Sequence, residues 1–521
     1  MSLKKEAISG SEVDEKLAAL MTNSNAIRAI ASAVEGTLGP KGLDTMLVDK
    51  FGEVVITNDG VTILTMMEAN HPAARMLINI AKAQQEEVGD GTTTATVMAG
   101  ALVGAGVEQV ARGVPVARVI EGLRIGLQKA LEAMRKYVSP VYDLEDPVVQ
   151  QVALVAGREH KDIADLVVKA AVLIGQGKLN DPFFKFSDTI VANEGAENQV
   201  FMGVIINKER MNRQMPKELK QVKVLVIDDA LEPEEVDDEA LGTEAGFSRY
   251  LQLQTEFKEN IQKVAGLGVG LILVDRGVND GAEEVLTDSG IMVIQRVASK
   301  ELRKATELVG ARMIKRTGLK KPVDELEKYL GYADKIHSDE KLEQVWVMGG
   351  KGKPMATVLV GAATAEVVGE RERIAKDAAS SVQSAIKGGV VPGGGSVELA
   401  VAREVEKIRD GIRGMAAYGV ECVVEALQRP MAQIVANAGF NPLEKLGDVI
   451  AAQVETGKSS LAIDCDSGQV TDMYKLGILD PANVKIYALK AAGEVAEAIL
   501  RIDTIIKKRE EKDIHNKDEV K

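Results

Sequence analysis

Apolar residues recur at helical intervals from about residue 12 to 138 and again from about 395 to 507, while short β-branched runs alternate with helical patterns in between. That order of blocks, helical at both ends and α/β in the middle, constrains the fold more than any single motif. The first block shows Met76, Leu77, Ile80 and Ala81 on one face, and the last contains AVAREVEKIRDGIRGMAAYGVECVVEALQ. The middle carries VKVLVI at Val222–Ile227, VGLILV at Val269–Val274 and IMVI at Ile291–Ile294. Two arrangements satisfy the pattern: three consecutive domains, or an α/β domain inserted into one helical domain whose halves meet in space. The periodicity leaves both open. A chain of 521 residues exceeds what one core holds, so about three domains are expected. Aromatic residues are only 3% of it, so the cores are built from Ala, Val, Ile, Leu and the 18 Met, which suits packed helices. One interruption of the first helical block, VVITNDGVTIL at Val54–Leu64, has β-branched residues on both sides of Asn58-Asp59-Gly60. It reads as a hairpin turning at Asn-Asp-Gly.

Several function classes recede on composition. The net charge, 64 − 78 = −14, argues against nucleic acid and anionic membrane as partners. The first residues, MSLKKEAISGSEVDEK, contain no apolar signal core, and no stretch of about 18 apolar residues is apparent, so a soluble, cytoplasmic chain is expected. Cys422 and Cys465 form neither a CxxC pair nor a disulfide framework, and His71, His160, His337 and His515 are too scattered for HExxH. A zinc or thiol enzyme is not indicated. The tail after Ile506, KKREEKDIHNKDEVK, is charged and nearly free of apolar residues, which reads as disorder.

Three glycine-rich stretches compete as nucleotide sites. Ala452–Ser459 (AQVETGKS) fits a permissive phosphate-loop pattern, but that mechanism needs a strand before the loop and a helix after it, and here the order is reversed. Gly266-Leu-Gly268-Val-Gly270 precedes a strand where a dinucleotide fingerprint follows one, so it reads as a helix end turning into a strand. Gly89-Asp90-Gly91-Thr92-Thr93-Thr94 has the right context. One helix ends at Val88 and the next begins near Thr92, so free N–H groups and a positive dipole end face the turn. The glycines admit an anion, the threonines add hydroxyl donors, and Asp90 supplies the carboxylate with which Mg²⁺ is held beside phosphates. Alone, the stretch reads equally as an ordinary helix cap. The same holds for three other pieces. Thr37-Leu38-Gly39-Pro40-Lys41-Gly42 could be a helix stop, Asp59 a turn residue, and Gly393-Gly394-Gly395 a hinge before a helix.

Together these pieces, TLGPKG, TNDGVTIL, GDGTTT and GGGSVE, stand in the order and approximate spacing seen in chaperonins, the double-ring ATP-dependent folding machines. The chain resembles that family over nearly its whole length. HPAARML, ILDPANVK at 478–485 and AILRIDTII at 498–506 match as well, and NKERMNRQMP at 207–216 is similar to the thermosome-type (group II) branch. The absence of glycine-methionine repeats near the end, and AIKGGVVP before GGGSVE, depart from the pattern and leave room for a bacterial representative of that branch.

The resemblance implies a multidomain α and α/β chaperonin architecture with a discontinuous helical equatorial domain (1–139 and 394–521), an intermediate hinge domain (140–203 and 360–393) and an α/β apical domain (204–359). It implies ATP and Mg²⁺ as cofactors. By similarity, Thr37, Leu38, Gly39, Pro40 and Asn58 line the nucleotide; Asp90 binds the metal; Gly91, Thr92, Thr93 and Thr94 hold phosphates. Gly394 lies near the nucleoside, Asp480 at the ribose, Asp464 at the adenine, and Arg158 senses the γ-phosphate. Asp377, seventeen positions before Gly394, pairs with Asp59 as the catalytic carboxylates. Without the resemblance, Asp377 is one more charge on a charged helix. Partners implied are non-native client proteins and a homo-oligomeric double ring of about eight subunits per ring, without a separate lid protein.

A built-in lid is expected at about 232–262. The acidic turn from Glu232 to Ala240 leads to Phe247, Tyr250 and Phe257, whose spacings put them near one helical face. That face either packs on the apical sheet or forms a lid surface. The functions in competition are an ATP-driven foldase, a passive ATP-binding holdase or structural ring, and a metabolic enzyme using 452–459.

Overall fold

The structure, a computed structural model, describes residues 3–52, 54–236 and 241–504. The tail after Ile506 and residues 237–240 of the acidic turn lie outside the described residues. The chain forms two compact units, Met1–Lys161 with Asp377–Lys521, and Asp162–Lys376. The two helical ends therefore meet in one unit, and the α/β block is an insertion.

The helical unit is a bundle in which Val116–Lys136 packs on Ala416–Asn437 and Thr92–Ala111 packs on Ala482–Leu500. Its buried cluster contains no aromatic side chain among the described residues, as the composition anticipated, and small residues bring the helices close. A Cβ on Gly122 would stand 1.9 Å from the carbonyl oxygen of Ala416, and one on Gly419 would stand 2.1 Å from that of Val119, so the two helices touch backbone to backbone. Dispersion at such contacts replaces the large side chains the sequence lacks.

Thr92–Ala111 corrects one expectation. Among the described residues it is the one helix long and apolar enough to cross a membrane by length and composition. Its apolar run of Ala, Val, Met and Leu is interleaved with glycine and threonine, and the most apolar stretch is 67% buried within the bundle.

The expected Asn-Asp-Gly hairpin is also corrected. β1 (Thr45–Val48) and β2 (Val54–Thr57) do form an antiparallel pair, but its turn lies upstream, with Val48 opposite Val54. After β2, Asp59 caps a helix over Gly60–Met66, accepting hydrogen bonds from the N–H groups of Val61 and Thr62 and from the Thr62 hydroxyl at 2.5 Å. Aspartate suits both a turn and a helix cap. Burial of Ile63 and Leu64 on one helical face outweighs the β-branched bias of VTIL.

The inserted unit is built on an eight-stranded mixed sheet. β3 (Ile190–Glu194), β4 (Gln199–Ile206), β5 (Glu218–Ile227), β6 (Val269–Val274), β7 (Met292–Ile294), β8 (Gly331–Asp339), β9 (Gln344–Met348) and β10 (Ala356–Ala362) lie in the spatial order β3-β10-β4-β9-β8-β5-β6-β7. β5, β6 and β7 are parallel neighbours. Leu225 and Ile227 of β5 face one core cluster while Val224 and Val226 face the other. Every residue of β6 is buried, which accounts for its unbroken apolar sequence. The helix Glu244–Ala265 begins at Thr243, whose hydroxyl accepts the Gly246 N–H, and leads into β6.

Candidate nucleotide site

The GDGTTT turn occupies the junction between the Pro72–Glu87 and Thr92–Ala111 helices. Gly89 and Gly91 adopt φ of 74° and 77°, left-handed values that favour glycine. Gly91 caps the second helix without a side-chain hydrogen bond, so the first N–H groups at Thr92–Thr94 have no side-chain partner, and these three threonines are buried. Gln84 braces the turn, its amide donating to the carbonyls of Asp90 at 2.8 Å and of Val484 at 3.1 Å. Sequence reasoning missed Gln84, because its second partner lies 400 positions away.

Asp90 accepts the Gly91 N–H on Oδ1 at 2.6 Å and the Ser381 hydroxyl on Oδ2 at 2.6 Å. Burial pushes its carboxyl above the usual range, Ser381 and Gly91 pull it back, and nearby Asp480 adds to the upward push. A carboxylate so placed is stabilised by a cation, and an uncapped helix end by an anion. A magnesium nucleotide presents both charges. Among the described residues no group of three or more His, Cys, Asp or Glu could form a metal cage. Mg²⁺ held by one carboxylate beside phosphates requires none.

The other pieces converge from both ends of the chain. A Cβ on Gly60 would meet the Thr93 hydroxyl at 2.5 Å, so the Asp59 cap abuts the GDGTTT helix end. Asn58, next to it, has a buried side-chain oxygen with no hydrogen-bond partner. The Thr37–Pro40 turn is held from the late helix Ala416–Asn437: Asn437 donates to the carbonyls of Glu35 and Leu38, both at 2.9 Å, and Ile434 packs 3.0 Å from where a Cβ of Gly39 would be. Thr37 itself donates to the Val34 carbonyl, closing that helix end. Lys41 pairs with Asp466 at 2.5 Å, joining this turn to the one containing Asp464. Asp464 lies between β12 (Leu461–Ile463) and β13 (Val470–Asp472), where its carboxylate accepts from the Ser467 hydroxyl and the Asp466 N–H. The Ser467 hydroxyl, followed by that N–H, draws its carboxyl below the ordinary range.

β11 (Val390–Pro392) pairs with β14 (Leu479–Pro481), placing Val391 opposite Asp480, and the Gly393–Gly395 turn follows β11. A Cβ on Gly393 would stand 3.0 Å from Asp480 Oδ2, while Gly394 packs on Met473 and Ala462. Lys485, buried, reaches Asp480 at 2.9 Å and the fully buried Glu398 at 2.7 Å. Burial alone would lower the Lys485 ammonium's affinity for its proton, but Asp480 and Glu398 together raise it. Such a buried ion cluster is tolerated only when complete, since removing one partner strands the others. Glu398 and Lys485 sit inside GGGSVE and ILDPANVK, yet nothing local marks them as partners.

Asp377 lies on the Ala365–Gly388 helix, with Arg158 Nη2 at 3.8 Å. Arg158 and Glu159 have φ of 52° and 63°, two consecutive non-glycine residues in the left-handed region. Backbone of this kind is found where surrounding structure enforces it, often at ligand sites. The AQVETGKS decoy has the order that disqualifies it: the Pro442–Thr456 helix comes before, Gly457 ends it, and β12 follows. In the inserted unit, Phe257 packs against the core, whereas Phe247 and Tyr250 are exposed and stack with ring centroids 6.4 Å apart.

Comparison with known proteins gives consistent matches. The model of the TCP-1/cpn60 chaperonin family matches residues 30–510. A thermosome subunit beta from Sulfurisphaera tokodaii is 32% identical, with 96% of this chain and 94% of the relative covered. One from Archaeoglobus fulgidus is 34% identical, with 93% and 91% covered. The crystal structure of a group III chaperonin in the open state superposes with a TM-score of 0.88 at 49% identity, covering 95% of this chain and all of that one.

Proposed function

The chain belongs to the TCP-1/cpn60 chaperonin family, on its thermosome-like branch, and from that premise we propose an ATP-driven foldase that binds and encloses non-native proteins. The observation that carries the reading is the uncapped, buried helix end at Gly91–Thr94 with the Asp90 carboxylate beside it. Gly91, Thr92, Thr93 and Thr94 hold phosphates with backbone N–H groups and hydroxyls. Thr37–Pro40 and Asn58 close over them, and Gly394, Asp464 and Asp480 border the nucleoside. Asp90 would hold Mg²⁺, which would supply positive charge against the phosphates. Asp59 and Asp377 orient and deprotonate the attacking water, and Arg158 beside Asp377 reads the terminal phosphate. Phosphoryl transfer depends mainly on such positioning and electrostatics, so a carboxylate delivered by domain movement can time it.

A surface feature supports assembly into a closed ring. β1–β2 exposes Met46, Val48, Val54 and Ile56 with Phe51 in their turn. An isolated two-stranded sheet is marginal in water, and a contiguous apolar patch marks an association surface. We take a second copy of the chain as its occupant, in a cytoplasmic double ring of about eight subunits per ring. Division into equatorial, intermediate and apical domains completes the reading, with a lid about 232–262 in place of a separate lid protein.

Equilibrium ATP binding and phosphate release test the site. Asp377→Ala is expected to bind Mg-ATP like the wild type but hydrolyse it on the order of 10²-fold more slowly, because only transition-state positioning is removed. Asp90→Ala is expected to weaken binding itself. Both variants turning over ATP at the wild-type rate would overturn the assignment.

A further inference from the structure

Serine in a helix interior is a weaker helix former than alanine, and its hydroxyl often turns back on the preceding turn's carbonyl. Ser381, inside the Ala365–Gly388 helix and fully buried, instead donates to Asp90 Oδ2, 291 positions away in sequence. The approach is steric as well as polar. Gly89, in the same turn, lies so near the helix that a Cβ there would stand 2.3 Å from the Ser380 hydroxyl. A small side chain at Ser380 and none at Gly89 let the turn settle on the helix.

The two oxygens of Asp90 are thus anchored from different elements, one by the backbone of its own turn and one by a side chain on a distant helix. A carboxylate offers about four lone-pair directions, so two anchors leave one free on each oxygen. Asp377 lies one helical turn before Ser381, and residues four apart share a helix face. The same rigid element therefore carries one carboxylate and grips another.

Resting on the reading of Asp90 as the magnesium ligand, we propose that Ser381 is a positioning residue for that metal, fixing the orientation in which Asp90 presents its free lone pairs. Partners that orient a metal ligand from behind govern affinity for the metal without touching it. Ser381 belongs to none of the glycine and aspartate motifs, so its role is separable from theirs.

The test is calorimetric titration of the full-length protein with ADP across a series of free Mg²⁺ concentrations, including an EDTA arm. Ser381→Ala is expected to raise the Mg²⁺ concentration at half effect by roughly tenfold or more, with Mg²⁺-free ADP affinity unchanged. Ser381→Thr, which keeps the donor, is expected to restore the wild-type midpoint. Ser381→Cys, close in size but a weak donor, is expected to shift with the alanine variant and serves in its place if alanine does not fold. A merely structural serine would move the melting temperature or the Mg²⁺-free affinity, and not the Mg²⁺ midpoint alone. An unchanged midpoint in the alanine or cysteine variant, with Asp90→Ala losing the Mg²⁺ effect, overturns the role of Ser381 and leaves the site reading standing. Persistence of the Mg²⁺ effect in Asp90→Ala overturns the site reading itself.

Discussion

Asp59 shows how one carboxylate can hold two positions at once. Its side chain caps the Gly60–Met66 helix, and the adjoining Gly60 backbone abuts Thr93 at the start of the Thr92–Ala111 helix. Cap and chemistry separate by substitution. Asp59→Ala loses both, lowering stability by about 1 kcal/mol along with turnover. Asp59→Asn keeps an oxygen for the cap, so its thermal melt is expected to match the wild type while phosphate release falls on the order of 10²-fold. An asparagine variant that hydrolyses ATP normally would reduce Asp59 to a helix cap. At this scale the sequence showed most of the glycines, threonines and aspartates, because their backbone and charge requirements are local. Gln84, Ser381, Glu398 and Lys485 were not legible, since each acquires its meaning from a partner far away in the chain.

At the level of elements, legibility followed burial. The runs VKVLVI, VGLILV and IMVI became β5, β6 and β7, since strands buried on both faces are apolar throughout. The hairpin was misread because Asn-Asp-Gly satisfies a turn and a helix start alike, and only packing of Ile63 and Leu64 decides between them. The Glu244–Ala265 helix divides the aromatic trio that sequence spacing had put on one face: Phe257 joins the core, and Phe247 with Tyr250 faces outward. The packing reading therefore holds for Phe257, and the exposed pair keeps the lid as a proposal. Substituting Phe247 and Tyr250 together by serine is expected to change stability by less than about 1 kcal/mol while weakening capture of a denatured client. Phe257→Ala is expected to cost about 2 kcal/mol or more. If chemical denaturation showed the serine pair as destabilised as Phe257→Ala, the outward face would be core and the lid reading would fail.

For the whole molecule, the −14 charge and low aromatic content gave class but not architecture, and periodicity could not say that the two helical ends form one unit. That fact depends on contacts such as Gly122 against Gly419, which only the folded chain reveals. The central claim is that nucleotide at the Asp90 turn drives a ring of such chains between open and closed forms. Negative-stain electron microscopy of the purified protein, with and without Mg-ATP, tests it most directly. The account predicts stacked rings of about eight subunits each, open without nucleotide and closed at the outer ends with it. Isolated monomers or dimers, or rings whose outline is identical in both conditions, would contradict it.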